Sequence, residues 1–269
     1  TGNDFILTHE IDPETIDKIS QKVVSLCNRK TGIGADGVIF VLPAKSAAAN
    51  FRMRIFNSDG SEAQMCGNGI RCFSLYLKSL NLTQLDTISI ETEAGIIVTS
   101  FIDKNLVRVN MGKPVLEGSL VPVALKGHPV QMQPVVINDK SFNFTAISMG
   151  NPHAVIYSEQ LSDDLVWNYG PQIECHSYFP QKTNVEFIKV LSSNEIAMRV
   201  WERGCGETQS CGTGACASVV SGIINKLHGK DVTVHLPGGD LMVQWNGGES
   251  DSVFLTGLAR KVFEGNVDF

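Results

Sequence analysis

The chain has 269 residues, 43% of them hydrophobic, enough for two domains with full cores and too apolar for a disordered or fibrous protein. A net charge of -6 removes the basic face that non-specific nucleic-acid binding requires, so no nucleic-acid partner is expected. No apolar run approaches the roughly 20 residues of a membrane-crossing helix, and the start carries no secretory pattern, so the expectation is a cytoplasmic protein without a membrane partner.

In chain order, Ile16, Ile19, Val23 and Leu26 recur at helical spacing and predict a helix over 16–29. The Gly-rich run 31–34 leads into a predicted strand over 37–42, and a second strand, 51–56, reaches the turn signal Asn57-Ser-Asp-Gly60. Cys66-Gly-Asn-Gly69 follows and runs straight into a predicted helix over 69–80. Three short strands are predicted at 87–92, 95–102 and 106–110, and the Gly/Pro-punctuated segment 112–134 reads as a domain boundary. Beyond it the order repeats: strands at 185–190 and 196–201, a second thiol turn Cys211-Gly-Thr-Gly214, a helix over 214–227 of small and apolar residues, and three further strands.

Sliding the chain over itself by 145 residues sets Arg54, Phe56, Glu62, Gln64 and Cys66 on Arg199, Trp201, Glu207, Gln209 and Cys211. At the same offset 106–112 meets 251–257, and Ala94-Gly95 meets Gly238-Gly239 once one residue is dropped; upstream, at an offset of 148, Thr1-Gly-Asn-Asp4 lies over Met149-Gly-Asn-Pro152. A colinear repeat of this length predicts two like domains, 1–114 and 115–259, with 260–269 free to return to the first. One helix among many strands in each half gives the fold class α+β, each domain a curled, mostly antiparallel sheet around a central helix. Alternating βαβ units are missing, which sets aside a Rossmann reading despite the glycines.

A helix start presents unpaired N–H groups and partial positive charge, so a thiol there is expected to titrate low and an anion can dock beside it. Two such thiols suggest a paired acid and base. For a single cysteine the commoner outcome is a buried, inert thiol, and that reading stands for Cys27, Cys72, Cys175, Cys205 and Cys216. Duplication and flanking glycines reverse it for Cys66 and Cys211. The odd total of seven cysteines fits a reducing compartment better than a disulfide framework. No metal is expected, because Cys66/Cys72 and Cys205/Cys211 are six apart and no Cys-X-X-Cys or His cluster completes a site.

Thr1-Gly-Asn-Asp-Phe5, Asn57-Ser-Asp-Gly-Ser-Glu62, Met65-Cys-Gly-Asn-Gly69, Gly150-Asn-Pro-His153 and Glu202-Arg-Gly-Cys-Gly-Glu-Thr-Gln-Ser-Cys-Gly-Thr-Gly214 together resemble diaminopimelate epimerases over nearly the whole chain. The resemblance implies two pseudo-symmetric domains facing each other across a cleft and a cofactor-independent epimerase. Its substrate would be 2,6-diaminopimelate, a small amino acid interconverted between LL and meso forms for lysine and peptidoglycan-precursor synthesis. One cysteine, as thiolate, would remove the α-proton from one face while the other, as thiol, reprotonates the opposite face; by resemblance these are Cys66 and Cys211.

With no pyridoxal lysine motif to act as an electron sink, backbone N–H groups of Gly67, Asn68, Gly212 and Thr213 would hold the α-carboxylate and damp carbanion charge. A distal carboxylate and ammonium need a cation and an anion, for which adjacent Arg203 and Glu202 are the natural pair. The resemblance adds Asn3, Asn57, Asn151 and Asn184 as neutral pocket partners, each of which taken singly reads as a turn residue, and His153 as a supporting residue ranked below them.

Many relatives carry Gln where Gly37 stands, and the missing side chain would widen substrate tolerance. Two rival readings remain open at this level. One is a proline-racemase-like or broader amino-acid racemase of the same plan, although that family prefers His where Asn68 stands. The other is a thiol-based redox or ligand-binding protein. Homodimerisation is also left open.

Overall fold

The computed structural model describes residues 1–9, 16, 19–138 and 140–267. The chain divides into two compact units, Asn3–Val109 with Gly257–Phe269, and Asn110–Thr256 with Thr1–Gly2. The C-terminal segment returns to the first unit, where Ala259 N–H donates to the Asn105 carbonyl at 2.9 Å.

The first unit begins with β1 (Phe5–Thr8), α1 (Ser20–Cys27), β2 (Gly37–Pro43) and β3 (Phe51–Asn57). Strand β1 lies parallel to β2, pairing Phe5 with Gly37, and β2 is antiparallel to β3. Helix α1 is shorter than its apolar pattern implied. Asn28 ends it by accepting the N–H groups of Lys30 and Thr31 on its side-chain oxygen, a local bond that competes with helix continuation. Ile16, Ile19 and Val23 still pack as expected, on Val38, Phe40 and Phe56, but the fourth buried place is taken by Cys27, with Leu26 only partly buried; positions 17–18 of the expected helix lie outside the described residues.

The two-residue strand β4 (Glu62–Ala63) turns back on β3, and α2 (Gly67–Ser79) follows the thiol at once. Strands β5 (Thr87–Thr92), β6 (Gly95–Asp103) and β7 (Leu106–Asn110) complete the sheet, β5 parallel to β3 and the rest antiparallel.

The second unit opens with three strands that the sequence reading passed over: β8 (Gln133–Ile137), β9 (Lys140–Ser148) and β10 (Pro152–Tyr157). A π turn over Leu165–Tyr169 runs into the short helix α3 (Gly170–Glu174), also unanticipated. Phe142, Phe144, Ile156, Val166, Ile173 and Phe187 form the core between these elements.

The repeated order then appears as β11 (Asn184–Ser192), β12 (Glu195–Glu202), β13 (Gly206–Thr208), α4 (Gly212–Ile224), β14 (Asp231–Leu236), β15 (Gly239–Gln244) and β16 (Phe254–Leu258). Helix α4 is buried from Gly214 through Gly222, which its small, apolar composition permits. Both thiol helices have 13 residues and start 145 apart, as the offset requires. The last stretch of the alignment is corrected: β6 pairs Thr99 with Val109, whereas β15 pairs Val243 with Leu255, so the second unit holds two more residues there and Val109 matches Leu255 rather than Phe254.

Candidate active site

Each thiol sits at a helix N-cap in extended backbone, Cys66 at φ -139° and Cys211 at φ -123°. The sulfur folds back to accept the third helical N–H, from Gly69 at 3.4 Å and from Gly214 at 3.3 Å. Glycine suits that third position, since a Cβ on Gly69 would crowd Cys66 Cβ at 3.3 Å and one on Gly214 would crowd Cys211 Sγ at 3.2 Å. The N–H groups of the first helical residues, Gly67 and Asn68 or Gly212 and Thr213, have no acceptor within their own helices.

The strand-to-helix approach is braced identically in both units. Arg54 grips Glu62 through Nε at 2.6 Å and Nη2 at 2.8 Å, and Arg199 grips Glu207 through Nε at 2.7 Å and Nη2 at 2.9 Å. Each fork ties the strand before the thiol to the short returning strand, so the repeated Arg and Glu are structural and position the turn.

In the first unit the predicted residues gather around α2. Asn68 is buried; its Nδ2 donates to the Asn3 side-chain oxygen and its Oδ1 accepts from buried Arg71. Asn3 in turn donates to Asp36 at 2.9 Å, and Arg29 joins Asp36 to Asp4. Asn57 ends β3, exposed, with its side chain donating to Ser61 Oγ at 3.0 Å. Gly37 has a steric reason of its own: a Cβ there would lie 2.4 Å from the Phe56 carbonyl oxygen. Close approach of β2 to β3 demands glycine, so Gly37→Gln would disturb the sheet and cannot isolate a specificity effect.

In the second unit His153 and Glu186 are both fully buried, with His153 Nδ1 2.7 Å from Glu186 Oε1 and Nε2 3.0 Å from the Asn151 side-chain oxygen. Asn184 is buried and uses both ends of its amide, accepting Arg203 N–H at 3.0 Å and donating to the Pro152 carbonyl at 2.9 Å. Glu202 accepts the Thr208 hydroxyl, and Thr213 Oγ1 lies 3.5 Å from Cys211 Sγ. Arg203 is exposed, donates to the Gln181 carbonyl at 3.3 Å, and lines a cavity of about 420 Å³ with Asn151, Ser148 and Ser119.

The two turns differ in charge. Beneath Gly69 lie the methyl ends of Ile39 and Ile55, whereas beneath Gly214 lie Glu186 and Met198, with the Glu186 carboxylate 2.7 Å from where a Cβ would stand. At the offset of 145, Asn57 in the first unit is matched by Glu202 in the second. Burial pushes the Cys211 thiol well above its ordinary range, and the carboxylates of Glu202 and then Glu186 push it further, against the Thr213 hydroxyl and Gly214 N–H. The expectation of a low-titrating thiol at a helix start therefore fails at Cys211, where burial and carboxylates outweigh the helix terminus. Burial also raises Glu186, with His153 opposing it.

Glu186 was missing from the residues proposed on sequence grounds. Its signal was present: a single acid inside the apolar run Val185-Glu-Phe-Ile188, on a strand buried on both faces.

The chain matches the diaminopimelate epimerase family over residues 1–117 and 145–262. It is 50% identical to the diaminopimelate epimerase of Halothermothrix orenii, across 99% of this chain and 95% of that one. It is 44% identical to that of Methanococcus maripaludis, across 99% and 96%. Among solved structures, a hydroxyproline epimerase from Agrobacterium vitis superposes with a TM-score of 0.61 over 89% of this chain and 80% of that one; at 16% identity this likeness shows the fold alone. Capping thiols repeated in two like units, together with full-length relatives up to half identical, lead to one assignment: the chain belongs to the diaminopimelate epimerase family.

Proposed function

We propose that the protein interconverts LL- and meso-2,6-diaminopimelate without pyridoxal phosphate, by a two-base reaction in lysine and peptidoglycan-precursor synthesis. The observation that carries this reading is the repeated thiol N-cap, one per unit, set among unlike charges. Inversion at a carbon requires a base on one face and an acid on the other. The thiolate takes the α-proton and becomes a thiol; the second thiol gives its proton to the opposite face and becomes the thiolate. One turnover therefore exchanges the two states, and the reverse reaction starts from the exchanged pair.

Burial, Glu202 and Glu186 favour the protonated form of Cys211, so we assign Cys211 as the donor and Cys66 as the base for one stereoisomer, the roles exchanging for the other. Main-chain N–H groups of Gly67, Asn68, Gly212 and Thr213 would offset charge developing on the α-carbon and its carboxylate. Arg203 and Glu202 take the distal carboxylate and ammonium, with Asn3, Asn57, Asn151 and Asn184 as neutral partners or supports, and His153 orders Asn151 and Glu186. We place the enzyme in the cytoplasm, since none of its seven cysteines is joined in a disulfide. Among the described residues no helix is long and apolar enough to cross a membrane. Sedimentation would tell a monomer from the homodimer that the sequence leaves open.

The test is α-deuterium uptake by LL-diaminopimelate in D₂O with no added cofactor. Wild type is expected to exchange and epimerise, and Cys66→Ala and Cys211→Ala should each lower turnover by at least about a hundredfold, the lower range for a general acid or base. Epimerisation that survives in either variant would remove the two-thiol mechanism.

A further inference from the structure

The turn that carries Glu202 and Arg203 is held by a carboxylate outside the reacting groups. Glu174 ends helix α3 with its side chain 7% exposed. Its Oε2 accepts the Trp201 indole N–H at 2.8 Å and its Oε1 accepts the Gly204 main-chain N–H at 3.0 Å. Those donors stand immediately before and immediately after the Glu202-Arg203 pair. Asn184 supplies a third anchor between them by accepting Arg203 N–H, and Cys205 N–H closes the turn on the Glu202 carbonyl at 3.0 Å.

The contact is closely built. A Cβ on Gly170 would lie 2.8 Å from Trp201 Cβ and Cγ, so only glycine lets α3 press flat on the indole and bring Glu174 within reach. Gly204 has φ +75°, a left-handed conformation suited to glycine, which turns its N–H toward the carboxylate. Burial raises the Glu174 carboxyl, yet Trp201, Gly204 and then Lys182, whose Nζ is 3.4 Å away, hold it below the usual carboxylate range. A buried carboxylate is costly unless its oxygens are met. Here they are met by donors that fix the direction of one two-residue segment.

We propose that Glu174 is a positioning residue for the distal end of the substrate, fixing the turn from which Glu202 and Arg203 project. The proposal rests on the reading above, in which those two side chains take the distal ammonium and carboxylate. A loosened turn weakens a contact made equally in ground state and transition state, so it raises KM and leaves kcat nearly unchanged. General damage to the fold would instead lower the active fraction and kcat with it.

The experiment measures kcat and KM for LL-diaminopimelate by α-deuterium uptake in wild type, Glu174→Gln and Trp201→Phe. Glutamine keeps the size of the side chain but can accept only one of the two N–H groups; phenylalanine removes the indole donor together with the second ring, which packs against the core and near Gly206. Glu174→Gln is expected to raise KM about tenfold, the scale of one lost hydrogen bond to a charged group, with kcat within about threefold. Trp201→Phe should raise KM in the same direction by less, and it decides the matter alone if Glu174→Gln does not fold. An unchanged KM in the folded variants, or a fall in kcat at constant KM, overturns the proposal. A wild type that takes up no deuterium overturns the reading on which it rests, an outcome distinct from exchange with an unaltered KM.

Discussion

At the scale of single residues, the two thiols share one backbone geometry and differ in what surrounds them. Cys211 is raised by burial, by Glu202 and by Glu186, so its proton is lost late and the alkaline limb of the rate profile should report it. Glu186→Gln removes one negative neighbour, which favours the thiolate, so that limb should move to lower pH. A limb that stays in place or moves up would show that Glu186 does not act on Cys211. The thiols and their glycines were legible in the sequence because a repeated motif carries its own control. Glu186 was not, because its role comes from packing under Gly214, and the chain is silent about which strand residue a helix glycine will meet. Asn184 is an intermediate case: only the family resemblance suggested a pocket amide, where the residue taken singly reads as a turn, and the structure engages both ends of that amide inside the protein.

At the scale of elements, the repeat explains why the second half of each unit was readable. Helices α2 and α4, with strands β5 and β14, β6 and β15, occupy matching places, and a pattern seen twice fixes boundaries that one copy leaves loose. Strands β8 to β10 escaped because Gly and Pro residues just before them suggested a linker that ran on. The alternation in Ser141-Phe-Asn-Phe-Thr145 did signal a half-buried strand.

The matched helix starts also permit a controlled comparison of packing. Gly69→Ala would place a Cβ 3.1 Å from the ends of Ile39 and Ile55, flexible methyls that can give way, whereas Gly214→Ala would place one 2.7 Å from a Glu186 oxygen held by His153. Gly214→Ala should therefore cost about 2–3 kcal/mol, the upper range for overpacking, and Gly69→Ala about 1 kcal/mol or less. Urea midpoints of the two variants check this, and equal losses would mean that Glu186 moves as freely as an isoleucine methyl.

At the scale of the whole molecule, stability should form a plateau in pH whose edges are set by groups whose titration folding shifts. On the acid side Glu207 is held low by Arg199, so its contribution is present above the ordinary glutamate range and is lost as pH falls through the lowered folded value. On the alkaline side the signs reverse. Burial raises Cys27 and Cys72 in the first unit and Cys211 in the second, and it pushes Tyr157 from 10.0 up to about 12, against its hydrogen bonds to Ser221 and Asn225.

A raised acid is fully protonated in both states below its unfolded value, so its contribution is intact there. Above that value the unfolded chain ionises first, and stability drains until pH passes the folded value. For Tyr157 the window is 10 to about 12, and a shift of that size corresponds to roughly 3 kcal/mol. Urea midpoints measured across this range should fall steeply in wild type. Tyr157→Phe keeps the ring but removes the titrating hydroxyl, whose 2.7 Å bond to Ser221 ties β10 to α4. It should start about 1 kcal/mol lower at neutral pH, the net worth of an ordinary hydrogen bond, and then decline less between pH 10 and 12 than wild type does. Parallel declines in the two proteins would assign the alkaline edge to the buried thiols instead.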